Sequence, residues 1–174
     1  MMKRLLLSLL LLTPLMVHAG SKQTIDTPAF DKKIAQQMIS ESIQRFPLAE
    51  DVTVEDAIDS MKLRANNLNF KLVADLPLSE QVKAMGQEAN YMRILAFCDA
   101  LIAKRMVEYN LIFGGFLPCR IAVIEDSEGK GWLVTMNMDM MLHAVDLPED
   151  LQPMAKQVRD TIYSIIDAGV NADL

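Results

Sequence analysis

Residues 119–137, CRIAVIEDSEGKGWLVTMN, leave the chain few options. Two apolar runs, Arg120 to Glu125 and Gly131 to Met136, flank the polar, glycine-bearing segment DSEGK. That pattern is two antiparallel strands joined by a short loop. The stretch Ile121 to Ile124 is apolar at every position rather than at every second one, so both faces of that strand need cover. A chain built around such a hairpin must bring more strands to its side, helices to one face, and something further to the other. A helix near the N-terminus and a second copy of the chain compete for that last role, and a symmetric homodimer through the sheet is the expectation.

The remaining segments supply the other pieces. Phe30 to Ile39 has a helical apolar face made by Phe30, Ile34, Ala35 and Met38. SIQRFPLAED reads as an edge strand, because Pro47 cannot donate to a ladder. Thr53 caps a helix in which Val54, Ala57, Ile58, Met61, Ala65 and Leu68 recur at helical spacing. NFKLVADL is a strand, PLSEQVKAMG a short helix capped by Ser79 and stopped by Gly86, and YMRILAFC an apolar strand. DALIAKRMVEYN is a helix with Leu101, Ile102, Met106 and Tyr109 inward, expected to return the chain for a second pass in the same direction. After the hairpin come a short helix over Met138 to Ala144 and a final one to Asp167, with Pro153 in its first turn where a missing N–H costs little. The order β-α-β-α-β-α-β-β-α-α behind a leader helix predicts an α+β two-layer sandwich, with a mixed or antiparallel sheet and helices mainly on one face.

The N-terminus carries a different message. Lys3 and Arg4 precede the apolar run Leu5 to Val17, and VHA closes the segment at Ala19, the order of a secretory signal peptide. Its 13 residues, interrupted by Pro14, fall short of the roughly 20 that span a bilayer. Cleavage after Ala19, a periplasmic or secreted location, a leader at 20–40 and one domain at 41–170 are the expectations. Lys3 and Arg4 are two of the 17 basic residues, so 15 remain against 23 acidic ones, a net charge of −8. With no basic run, neither nucleic acid nor a membrane surface is a fitting partner. A small molecule or another protein remains open as a partner.

RILAFCDALIAKRMVEYN, followed by FLPCRIAVIED and GWLVTMN, resembles the DUF302 domain family. VEDAIDSMKLRANNLNFKLV matches that family's opening, PLSEQVKAM its middle helix, and MMLHAV with VRDTIYSII its close. The resemblance spans Phe46 to Ala168 and implies a compact α+β fold, often dimeric, with no established activity. In the common pattern an asparagine–proline pair follows the first cysteine. Here Asp99 and Ala100 stand there, which places a carboxylate beside Cys98.

Chemistry-bearing residues are few. His143 is the only histidine after Ala19, so a multi-histidine metal site is impossible, and no zinc spacing, phosphate loop or nucleophile motif is present. Cys98 ends one strand and Cys119 begins another. At the same end of neighbouring strands they form a shared site, with Asp99 and the Gly114–Gly115 turn lining the same depression. Structural or inert thiols, a disulfide, a redox or soft-metal pair and a catalytic nucleophile all stay open, the first foremost. Asp99 is expected to raise the Cys98 thiol by like-charge repulsion.

The segment LVTMNMDMMLH poses the same choice for methionine. Thioethers suit Cu(I), which makes Cys98, Cys119, Met138, Met141 and His143 weak metal candidates. Alternation up to Met136 and helical spacing after Met138 instead favour a strand-to-helix joint whose methionines pack inward, with Asn137 or Asp139 as the cap. No cofactor is identified, and copper or another soft metal is kept as the alternative. The function this supports is a non-catalytic binding or accessory module. A thiol-based redox protein or enzyme using Cys98 and Cys119 is the competing reading.

Overall fold

The structure, a computed structural model, describes residues 31–173. The expected signal segment 1–19 and leader residues 20–30 lie outside the described residues. Helix α1 (Lys32–Glu41) leads to strand β1 (Ile43–Pro47), α2 (Val54–Asn67), β2 (Lys71–Leu76), α3 (Leu78–Ala84) and β3 (Met92–Cys98). Then follow α4 (Ala100–Tyr109), a 3-10 turn (Leu111–Gly115), β4 (Cys119–Glu125), β5 (Gly131–Met136), α5 (Met138–His143) and α6 (Gln152–Asn171). The element order is the one the patterning predicts.

All five strands join one sheet in the order β1-β5-β4-β3-β2, and every neighbouring pair is antiparallel. The fold is therefore α+β with an antiparallel, not a mixed, sheet. This corrects the expected second pass in the same direction. Residues 99–118 instead make an excursion that leaves the sheet where β3 ends and returns to that same end to start β4. β1 is an edge strand as Pro47 requires; the proline is its last paired residue, opposite Trp132.

Register sorts the side chains into two faces. Leu95 lies opposite Ile121 and Val123 opposite Leu133, and all four are fully buried. Over this face α2 and α6 pack against each other, sending in Met61, Ile162 and Ile165, which are equally inaccessible. Thr53 caps α2, its hydroxyl accepting the Asp56 N–H at 3.1 Å. Asp75 on β2 faces the same layer and is held by Arg93 of β3 and by Lys62 of α2 at 3.0 Å, which ties the edge strand to the helix above it.

The opposite face is only half covered. Ile94, Ala122 and Val134 follow one another across three strands there, flanked by Ile124 and Trp132, and all five are half-buried. Helix α1 is not their cover: it buries none of its residues, and Ile34, Met38 and Ile39 are exposed.

Three smaller expectations also change. Ser79 does not cap α3. Pro77 occupies that position with no side-chain bond, and Ser79 is buried inside the first turn. Leu101 and Tyr109 are exposed, because α4 lies beside the 3-10 turn and buries only the narrow stripe of Ile102 and Met106. Helix α6 continues past Asp167 because Ala168 and Gly169 are themselves in contact with the core. Gly86 does stop its helix, at φ +79°, a left-handed conformation that glycine adopts without strain.

Gly169 marks the closest approach of α6 to the layer beneath. A Cβ there would lie 2.6 Å from Met61 Cγ and 3.0 Å from Leu133 Cδ1, both on side chains with no room to retreat. Gly169→Ala gains helix propensity of up to about 1 kcal/mol but overpacks the core at a cost of about 1–3 kcal/mol. The expected result is a net loss of stability in urea unfolding; a variant more stable than the parent would show that the helix pair has slack.

Candidate functional site

One end of the sheet is where the chemistry-bearing residues gather. β3 ends there, β4 begins there and β5 ends there, since the antiparallel register sets Cys119 opposite Phe97 and Ile121 opposite Thr135. The excursion of α4 and the 3-10 turn arches over this end from one side, α5 from another, and the first turns of α6 close the base. They border a partly open cavity of about 80 Å³ with almost wholly apolar walls.

Each wall has a local reason for its place. Asp99 caps α4, its Oδ1 accepting the N–H groups of Leu101 at 2.9 Å and Ile102 at 3.0 Å, so the helix starts immediately after Cys98. Ile102 and Met106, one helical turn apart, then face the cavity. Asn110 caps the 3-10 turn through Ile112 N–H, which lets Phe113 and Phe116 reach inward. On the other side Asn137 caps α5 by accepting Met140 N–H at 3.0 Å while its amide donates to the Glu41 carbonyl. Asp139 pins α5 to α6: it accepts Arg159 Nη1 at 2.9 Å and the Tyr163 hydroxyl at 3.2 Å. The Arg159 guanidinium holds the Asp139 carboxyl below its ordinary range.

Of the residues singled out from sequence, Cys98, Asp99, Cys119, Met138 and Met141 line this one cavity. Met138 is also buried in the main core, in keeping with the inward packing expected of the strand-to-helix joint. Gly114 and Gly115 do not line it. Neither has a positive φ, and a Cβ at either would meet open space, so the flanking phenylalanines, not the glycines, shape the wall. His143 does not line it either: it is exposed, its Nδ1 lies 2.8 Å from the Asp139 carbonyl, and it opens onto a separate surface depression beside Glu41 and Gln44. The structure thus does not bring His143 together with the sulfur groups.

Sequence reasoning did not assign Met106, Met136 or Phe70 to the site. The stripe of α4 was the available signal, since a helix that starts beside Cys98 must turn its buried face toward whatever Cys98 borders.

Both cysteines are free thiols. Cys98 is half-buried, and its thiol is pushed up first by burial and second by the Asp99 carboxylate, so the expected repulsion is present but is the lesser cause. Cys119 is buried and pushed up to about 11, again by burial first and then by Cys98, with Arg120 pulling weakly the other way. At neutral pH both are protonated. Asp99 is the one carboxylate on the cavity wall, and it is committed to the helix cap. No side chain in the cavity is placed as a general base, and among the described residues no group of three or more His, Cys, Asp and Glu side chains is arranged to hold a metal ion.

An open five-stranded antiparallel sheet with two helices on one face and a capped sheet end defines the class of domain. The chain belongs to the DUF302 family: the family model, a domain of unknown function, matches residues 46–169. A crystal structure of an uncharacterized conserved DUF302 protein from Bacillus stearothermophilus is similar, with a TM-score of 0.59 and 19% identity over 72% of this chain and 95% of that one. At that identity the likeness is one of fold. Among curated proteins none matches the sequence.

The Cys119 shift has a measurable consequence. Its folded-state pKa lies above the ordinary 9.0, so the folded protein holds the thiol proton more tightly than the unfolded one. The stability this contributes is fully present below pH 9 and is lost as pH rises toward 11. Urea unfolding of the reduced protein across that window is expected to show the decline, and Cys119→Ala is expected to flatten it. An equal slope in both would mean that another group titrates.

Proposed function

We propose that this protein is a non-catalytic binding module whose ligand occupies the cavity at the sheet end, between α4 and α5. The observation that supports this reading is the composition of the wall: two protonated thiols and a capped carboxylate in an otherwise apolar enclosure. Acid–base or nucleophilic catalysis needs a charged or activated group at the reacting centre, and burial disfavours one here. Binding needs only shape and burial, which small apolar sites supply. Xenon is a probe small enough for this space, and empty apolar cavities take it up. Xenon added to the reduced protein is expected to shift the NMR signals of the Ile102, Met106 and Leu142 methyl groups, and Ala103→Leu, which fills the space, is expected to abolish those shifts. Unmoved methyl signals in the parent would refute the proposal.

A thiol redox function is the second reading, favoured by the presence of both thiols on the wall of one cavity. The register, which sets Cys119 opposite Phe97 and so turns Cys98 toward the other face of the sheet, counts against it. Disulfide formation would pass two electrons and two protons to a partner disulfide. The raised thiols make that attack slow at neutral pH, so binding is the stronger of the two.

The half-covered sheet face carries a separate part of the proposal, a homodimer. The open face and the exposed apolar side of α1 are two apolar surfaces of one chain that do not cover each other. A two-fold pairing buries both, each copy presenting the same patch. Sedimentation at micromolar concentration is expected to give a dimer, and Val134→Arg, in the centre of the open face, a folded monomer. A parent chain that sediments as a monomer would remove this part of the proposal.

A further inference from the structure

The cavity walls carry more sulfur than packing accounts for. Cys98 from β3, Met106 from α4, Cys119 from β4, Met136 from β5, and Met138 and Met141 from α5 all border it. Methionine commonly fills irregular gaps in a core, yet here the sulfur-bearing residues line a single pocket. Six sulfur-bearing residues drawn from five elements therefore line one pocket, and the segment that supplies half of them, Met136 to Met141, is held in place by the Asn137 cap and the Asp139–Arg159 pair.

We propose that the cavity is a Cu(I) site, with the thiol sulfurs of Cys98 and Cys119 as principal ligands and the thioethers of Met138 and Met141 completing the set. The inference rests on the cavity being the binding site and names its ligand. A soft, monovalent ion prefers thiolate and thioether donors, and a wall with no imidazole, whose one carboxylate (Asp99) is engaged in the α4 cap, disfavours hard cations and the usual zinc sets. Each thiol that binds the metal releases one proton to solvent, the metal stays Cu(I), and no electron is transferred. Burial holds those protons tightly, so affinity rises with pH. Arg120, next to Cys119, offsets part of the negative charge that two thiolates around one monovalent ion leave behind.

Anaerobic titration of the reduced full chain with Cu(I) against a chromogenic bidentate chelator tests this. One copper per chain retained against the chelator is expected, with affinity increasing with pH and sulfur as the scatterer in copper X-ray absorption. Cys98→Ser with Cys119→Ser is expected to lower affinity by at least the roughly 10–100-fold that disturbing even the surroundings of a metal site costs. Met138→Leu with Met141→Leu preserves volume and should keep the thermal midpoint while weakening copper binding. If that variant binds Cu(I) as the parent does, the thioether assignment is overturned. If the parent yields all its copper to the chelator, or nitrogen and oxygen are the scatterers, the Cu(I) site is overturned. Xenon uptake by the same metal-free sample separates the two levels: uptake without copper binding refutes only the metal, whereas no uptake refutes the cavity as a binding site.

Discussion

The closure of α2 and α6 onto one face of the sheet is the contact on which the rest depends. Leu95, Ile121, Val123 and Leu133 below, with Met61, Ile162 and Ile165 above, are all without solvent exposure. Each such side chain contributes about 1.5–3 kcal/mol by leaving water, so this layer dominates the stability of a 174-residue chain. The close fit at Gly169 fixes the height of α6 over β5. Once α6 is fixed, its first turns are fixed too, and they project beyond the strands. The sheet end is capped because the longest helix overshoots it.

From that geometry the site follows. α6 presents Ala155 and Val158 to the space beyond the strands, and Arg159 and Tyr163 one turn further on hold Asp139 and hence α5. Asp139 is about half exposed, so its ion pair is screened and contributes little to stability by itself. Its effect is orientation. With Asp139 turned to α6, Met138 and Met141 face the cavity and His143 faces solvent. Asp99 acts in the same way on the other wall. Asparagine, the residue common at this position in the family pattern, is an equally good cap. The departure therefore keeps the start of α4 and adds only a negative charge beside Cys98.

Much of this was legible because local signals and the final packing agree. The hairpin was readable from alternation and loop chemistry, α2 from Thr53 and its stripe, and the edge position of β1 from Pro47. The far face of β4 was readable too, since four apolar residues in a row cannot all be buried by one layer. What failed were contacts set by tertiary geometry. Whether α4 returned the chain parallel or antiparallel depends on how it packs, which periodicity does not encode, and the same holds for the exposure of Leu101 and Tyr109. Ser79 looked like a cap because serine commonly is one, but Pro77 starts the helix two residues earlier. Gly114 and Gly115 read as part of the lining of the site. The phenylalanines hold that role, as glycine contributes no side chain to a wall. That Cys98 and Cys119 stand at the same end of neighbouring strands was legible, but the reasoning behind it used the wrong connection.

The pocket at the sheet end follows from side-chain size. Filling it would require no change of fold: Ala103 and Ala155 both border the space and are small enough to be enlarged. The pocket is bordered by both cysteines and four methionines, while the layer beneath α2 and α6 is packed tightly around Gly169. A defect of random origin would have no reason to coincide with the polarisable side chains. A ligand that restores the missing contacts stabilises the folded state through its binding, and the same sulfur groups that leave the space are the ones able to close on an occupant, because methionine has three rotatable bonds and an adaptable reach. The looseness of the sheet end and the rigidity of the helix pair are thus complementary: the helix pair supplies the stability from which an unfilled site can be maintained.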